Sequence, residues 1–392
     1  MNILFNLTAV QPIHSAKFHG GGSYGEVLFW KIVERLRSQK SAEIHFLCAY
    51  DSQKYLDPEI LNACRENRIP MCDIRKNSPQ SIVDENAVDT FYTPLFSLEK
   101  KWDISVRRFV FTWHGVRALE MRYHPMGIFF ARTLSQKGEA LLRYRECWKK
   151  HFYKPKYQAV ADRIANGSVQ VMTVSEHSRA SIRAFFPQLM DARIPVFYSP
   201  MREIAPKGQL PSGIRPKQYF LLTSGARWEK NNWRAVRAFD DLMDLDHDRF
   251  PHHVVVTGVT NPQVYRRHLR HPDRFVFLDY VESGELEVLH KNAYAFLFPS
   301  LNEGFGYPPL QSMRYGVPVA ASGTTSIPEI CGDAAIYFDP YSQSEMANRI
   351  LQLLDSSIYA LYAERAKARY AHVHARQTAD LEKAVDFILN AG

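Results

Sequence analysis

Short, almost wholly apolar runs alternate along the chain with longer segments whose apolar residues recur every three or four positions. The first kind reads as parallel strands buried on both faces, the second as helices crossing between them. "ILFNL" (3–7) opens the pattern. After a glycine cluster, "YGEVLFWKIVERLRS" places Leu28, Ile32, Val33 and Leu36 at helical spacing. Further strands are expected at 43–50, 108–115, 169–175 and 194–199, with 116–168 largely helical and crossing between strands. Residues 200–217 carry four prolines, two glycines and little apolar periodicity, which marks a linker. A second set of runs begins at 218–225, continues with a helix from about Asn231, and follows through 252–258, 275–281, 293–300, 317–322 and 334–340. The pattern predicts two α/β halves: a domain over 1–205, a domain over 206–375, and a last helix, 376–392, packing back on the first. Ligands of such sheets bind beyond the carboxyl ends of the strands, so the chemistry is sought in a central cleft.

Length agrees with this division, because 392 residues exceed what one ordinary core holds. The five cysteines, Cys48, Cys64, Cys72, Cys147 and Cys331, are scattered, odd in number and without a CxxC. That argues against a disulfide framework or a zinc site and fits a reducing compartment. The amino terminus lacks the basic flank and long apolar region of a signal peptide, and no stretch approaches the roughly 20 apolar residues of a membrane span. The expectation is a cytoplasmic protein that at most rests on the inner face of a membrane. A net charge of +8 favours anionic partners. The densest basic stretch, "RYRECWKKHFYKPKYQ" (143–158), mixes six Lys and Arg with aromatics. It suits an anionic membrane surface as well as a plain solvated helix flank. No nucleic-acid signature accompanies it.

The stretch "LFPSLNEGFGYPPLQSMRYGVPVAAS" (297–322) has a single charged side chain before Arg314, namely Glu303. The apolar run before it is a buried strand, so Glu303 falls at that strand's carboxyl end. Gly304 and Gly306 let backbone amides approach a ligand closely, and Phe305 and Tyr307 alternate with them. Pro308 and Pro309 suit the first turn of a helix, and Gly316 with Pro318 ends it. A glycine turn beside a helix start is an anion site, suited to a diphosphate, with Gln311 within reach of what it holds. The residues alone also fit a capped turn in which Glu303 meets only the helix dipole.

"FPSLNEGFGYPPLQSMRYGVPV" resembles the signature of retaining glycosyltransferases of family 4, which have the GT-B fold of two Rossmann-like doubly wound domains facing a central cleft. "FLLTSGARWEKNN", "VVVTG", "FLDYVESGELEVLHKNAYAFLFPS" and "TTSIPEICGDAAIYFDP" resemble further family elements in order and spacing, covering most of 218–345. In the first half only islands match, "TVSEHSRASI" and "TWHG" among them. The resemblance implies a metal-independent enzyme with no cofactor, its nucleotide-sugar substrate carrying UDP, GDP, ADP or TDP. The implied acceptor is a glycan or a lipid-linked saccharide of the cell envelope, with mannosyl or glucosyl transfer as the expected reaction.

The resemblance also assigns roles. Arg227 and Lys230 fall on the family's cationic element and would stabilise the leaving diphosphate. Glu303 matches the first family glutamate, on the donor sugar. Gln311 stands where the family has a second glutamate, which accepts hydrogen bonds from ribose hydroxyls; Gln keeps one acceptor and loses the charge. His114 matches the family's histidine near the reacting centre, although the following Asp is Gly115 here. "HGGGSYGE" (19–26), with Gly21 and Gly22, looks like the first-domain glycine loop that faces the diphosphate. The Asp-x-Asp in "DLDHD" (244–248) reads as solvated surface. Gln311 and Gly115 leave open a degenerate transferase kept as a sugar-nucleotide-binding scaffold, and a GT-B-like epimerase is a second alternative.

Overall fold

The computed structural model describes residues 1–12, 20–39, 44–96, 104–121, 126–131, 133–148, 154–244 and 250–390. The chain divides into two compact units. One comprises Met1–Val116, Tyr153–Arg202 and His374–Gly392; the other comprises Arg117–Phe152 and Glu203–Val373.

Each unit is built on a six-stranded, all-parallel sheet. The first contains β1 (Asn2–Asn6), β2 (His45–Tyr50), β3 (Met71–Asp73), β4 (Thr90–Thr93), β5 (Arg108–Trp113) and β6 (Val169–Thr173), in the order β3-β2-β1-β4-β5-β6. The second contains β7 (Tyr219–Leu222), β8 (His253–Val256), β9 (Phe275–Phe277), β10 (Ala295–Phe298), β11 (Val319–Ser322) and β12 (Ala335–Phe338), in the order β12-β11-β10-β7-β8-β9. Counted from its own first strand, each sheet reads 3-2-1-4-5-6. Chain order therefore reverses between β1 and β4 and between β7 and β10, where doubly wound sheets hold their ligands. The central strands are apolar throughout because both faces are covered: every residue of β4, β7, β10 and β11 is buried.

The expected fold class is the one observed, with several local corrections. Two strands were not foreseen, "MCD" and "TFYT"; at three and four residues they are too short to show a period. Residues 194–199 form no strand but touch the sheet through one bridge, Thr173 to Val196. Not all of 116–168 belongs to the first half. Residues 117–152 join the second unit, where Phe129, Phe130 and Glu120 find their partners. Phe129 packs on Trp233 with ring centroids 5.7 Å apart and Phe130 on Tyr265 at 5.8 Å, while Asn302 Nδ2 donates to Glu120 Oε2 at 2.7 Å. The last helix is longer than expected, Ser356–Leu389. In the first unit its end is fixed by Gln377, which donates to the Ser199 carbonyl at 2.5 Å, and by Asp380, which accepts from the Tyr198 amide at 3.0 Å.

Of the basic stretch 143–158, residues 149–153 lie outside the described residues, as do the side chains of 143–148, Lys154 and Lys156. So does most of the Asp-x-Asp stretch, 245–248. No helix among the described residues is long and apolar enough to cross a membrane.

Candidate active site

In the second unit the predicted residues gather beyond the carboxyl ends of β7 and β10, at the reversal of strand order. After β7 the chain passes Gly225 at close quarters with the next strand's exit: a Cβ there would lie 2.4 Å from Val259 Cγ2 and 3.0 Å from Val256 Cγ1. Only glycine permits that approach. A short 3-10 turn, Trp228–Lys230, follows, and Asn231 closes it in the left-handed region at φ 58°. Asn231 tolerates that conformation and secures it, donating from Nδ2 to the Pro299 carbonyl at 3.1 Å and the Pro340 carbonyl at 2.7 Å.

This turn aims Lys230 inward. Its side chain is 8% exposed, and Nζ donates to Glu303 Oε1 at 2.5 Å. Ser300 Oγ donates to the same oxygen at 2.6 Å. Among the described residues no partner is bonded to Oε2. The Glu303 backbone is clamped as well: its amide donates to Thr325 Oγ1 at 3.1 Å, and its carbonyl accepts from Ser326 Oγ at 3.0 Å. Burial alone would raise the Glu303 pKa, but Lys230 foremost, with Arg117 and Ser300, reverses this and holds the carboxyl below its ordinary range. Burial lowers the Lys230 pKa, and its carboxylate partner offsets that only in part.

Arg227 differs from Lys230 in being 47% exposed, and it donates to Glu229 Oε1 from Nε at 2.8 Å and Nη2 at 2.6 Å. Arg117 lies 3.6 Å from the same carboxylate. The sequence reading missed Arg117 and Glu229. Arg117 is far away in sequence, and nothing local marks it; Glu229 is one charged residue between two cations in "ARWEK".

The glycine turn is as expected in shape. Gly306 adopts φ 112° with nothing within 4 Å of where a Cβ would stand, so the backbone there is open to a ligand. Phe305 is buried, its carbonyl accepting from Ser326 Oγ at 2.8 Å and its ring 5.3 Å from that of Tyr307. The helix Tyr307–Arg314 follows with Pro308 and Pro309 in its first turn. Neither carries an N–H, so neither adds a donor to that helix end. Gln311 lies on the helix and donates from Nε2 to Glu287 Oε1 at 3.1 Å. A further buried hydroxyl, Thr223 Oγ1 at the end of β7, has no partner among the described residues.

Two predicted elements lie in the first unit. His114 follows β5; its Nε2 stands 2.8 Å from the Pro94 carbonyl, which can only accept, so Nε2 carries the proton. Its ring meets Tyr24 edge-on at 4.9 Å. Gly21 and Gly22 were expected in a loop, but the helix Gly20–Gln39 has already begun at Gly20 and they form its first turn. The residues 13–19 before it lie outside the described residues.

Residues 210–371 match the model of a family described as glycosyl transferases group 1. The chain is 44% identical over 78 residues to O-antigen chain mannosyltransferase B of Escherichia coli, a match covering 20% of this chain and 20% of that protein. It is 28% identical over 175 residues to the serotype-specific mannosyltransferase WbdA of Escherichia coli, covering 42% of this chain and 21% of that one. The matches thus span about a fifth of the length of these curated relatives. Among solved structures, WaaG, a glycosyltransferase involved in lipopolysaccharide biosynthesis, aligns with a TM-score of 0.63 over 99% of this chain and 100% of that one, at 16% identity. Anabaena Alr3699/HepE in complex with UDP and glucose aligns with a TM-score of 0.61 over 98% and 99%, at 15% identity. At these identities the likeness is one of fold, and that fold is GT-B.

Proposed function

We propose, on the premise that residues 210–371 form a glycosyl transferases group 1 domain, that the protein moves a hexose from a nucleotide sugar to a glycan acceptor. The product belongs to a cell-envelope polysaccharide or lipopolysaccharide, and the mannosyltransferase relatives favour mannose over glucose. The observation that carries this reading is the buried Lys230–Glu303 pair, 2.5 Å across, at the strand-order reversal. A carboxylate held ionised there serves a sugar, and the neighbouring cations serve a diphosphate.

In this reading the acceptor oxygen bonds to the sugar's anomeric carbon as the bond to the diphosphate breaks on the same face. The acceptor proton passes to the departing phosphate oxygen, and configuration is retained without a metal or cofactor. Arg227 and Lys230 meet the charge that develops on the leaving group. Glu303 accepts sugar hydroxyls through Oε2, since Oε1 already serves Lys230 and Ser300. Gln311 meets the ribose, and the Gly304–Tyr307 turn meets the diphosphate. In the first unit, His114 is assigned to the acceptor.

A thermal-shift panel of UDP, GDP, ADP, TDP and their sugars tests this, because a ligand of the native state raises its apparent stability. One nucleotide family is expected to stabilise wild type and to do so less in Arg227→Ala, with sugar transfer lost in Glu303→Ala. No shift with any nucleotide removes the reading. Binding without turnover of any acceptor supports instead the scaffold alternative that Gln311 and Gly115 suggest.

A further inference from the structure

The Gln311 side chain is not left to rotate. Its Nε2 is 3.1 Å from Oε1 of Glu287, which lies one helix away on Ser283–Asn292 and is 2% exposed. The other carboxylate oxygen, Oε2, accepts from the Tyr315 hydroxyl at 2.6 Å, with Arg314 Nη1 3.8 Å away. Burial and the bond to Glu287 push the Tyr315 pKa up, so this hydroxyl remains a donor. A carboxylate accepts and never donates, so the NH2 end of Gln311 must face Glu287. The amide oxygen then faces the other way, and among the described residues it has no partner.

We infer that Glu287 is a positioning residue that locks the Gln311 amide with its oxygen outward, making Gln311 an acceptor for the ribose hydroxyls of the donor. The inference rests on the nucleotide-sugar reading above. An unrestrained glutamine presents either end to a ligand; one tethered by a carboxylate presents only its carbonyl. The negative charge that a glutamate would carry at position 311 is held one side chain further back, where it polarises the amide whose oxygen does the accepting. Glu287 is itself satisfied on both oxygens, which is what a buried carboxylate requires.

The test is calorimetric titration of the full chain with the nucleoside diphosphate that binds wild type, alongside its 2′-deoxy and 3′-deoxy forms. Wild type is expected to prefer the ribonucleotide about 10-fold over one of the deoxy forms. In Glu287→Gln the new amide can donate to Gln311, which is free to turn its NH2 outward. The preference should fall to within about two-fold while affinity for the deoxy form stays as in wild type. Adding Gln311→Glu to that variant restores an acceptor that needs no orienting, and the preference should return. Gln311→Met keeps the shape, leaves Glu287 in place and must lose the preference, which secures the test should Glu287→Gln fold poorly. A preference that survives in Glu287→Gln or Gln311→Met overturns the inference. Tight but indiscriminate binding by wild type overturns it too. No nucleotide binding at all removes the parent reading and this one with it.

Discussion

At the reversal of strand order the two sheets share a topology and carry opposite chemistry. In the first sheet the groups are neutral. Tyr24 and Tyr92 hydroxyls lie 3.2 and 2.8 Å from Thr112 Oγ1, and Asn6 Nδ2 donates to Thr93 Oγ1 at 3.2 Å. Burial pushes Tyr92 well above its ordinary pKa and Tyr24 up to about 12, so neither ionises near neutrality. The first unit's buried carboxylates Asp51 and Glu26 pair instead with arginines that reach solvent, Arg75 at 47% and Arg202 at 43% exposed. In the second sheet the central position itself is ionic: Lys230 and Glu303 are 8% and 9% exposed in their side chains. A neutral lattice tolerates loss of one member, because each group is hydrogen-bonded but none depends on another's charge. A buried ion pair does not, since removing either partner strands the other.

The largest effect should come from breaking that pair. Lys230→Met is expected to lower the unfolding free energy by about 3–5 kcal/mol, measured by urea titration, because Glu303 is left buried and uncompensated. Tyr92→Phe in the first sheet should cost about 1 kcal/mol. Adding Glu303→Leu to Lys230→Met should recover most of the loss without restoring sugar transfer. Equal costs for the two single variants would erase the contrast between the sheets.

A second test sharpens the contrast with pH. His290, fully buried against Ser312 of the helix Tyr307–Arg314, has its pKa pushed down to about 3 by burial. Nδ1 lies 2.7 Å from Ser312 Oγ, and Nε2 has no partner among the described residues, so a second ring proton would be unsatisfied. Folding therefore holds the ring neutral, whereas the unfolded chain protonates it near pH 6.5. Stability is unaffected above that value. It falls as pH drops towards about 3, with a slope of about 1.4 kcal/mol per pH unit from this group. His290→Gln should flatten the acid limb of an unfolding series between those pH values, and an unchanged limb would place the acid sensitivity elsewhere.

How far the sequence reached follows from what is local. The strands β7, β8, β10, β11 and β12 were legible because runs such as "FLL" and "AFLF" are buried on both faces. Glu303 was legible because it is a lone carboxylate after such a run. Its partner was not: Lys230 lies 73 residues away, and nothing in its own stretch points to that carboxylate. Glu287 was invisible for the same reason, being one charged residue on an amphipathic helix until Gln311 and Tyr315 are brought against it. The passage of 117–152 into the second unit depends on packing by Phe129 and Phe130, which helical spacing alone does not assign to either half.

The smallest effect separates the two cations that the sequence treated alike. Arg227 is half exposed and paired with Glu229 at 2.6 Å, an arrangement that contributes about 0–1 kcal/mol in water. Arg117, 3.6 Å from Glu229, remains to hold that carboxylate when Arg227 is gone. Arg227→Ala should therefore unfold within about 1 kcal/mol of wild type, yet bind the preferred nucleoside diphosphate roughly tenfold more weakly, as expected for one lost charge-assisted hydrogen bond. Lys230→Met should show the reverse balance, with stability lost first. If Arg227→Ala instead destabilises the ligand-free protein as much as Lys230→Met, the guanidinium belongs to the buried ionic core. The division between a cation held in a buried pair and one paired at the surface would then be withdrawn.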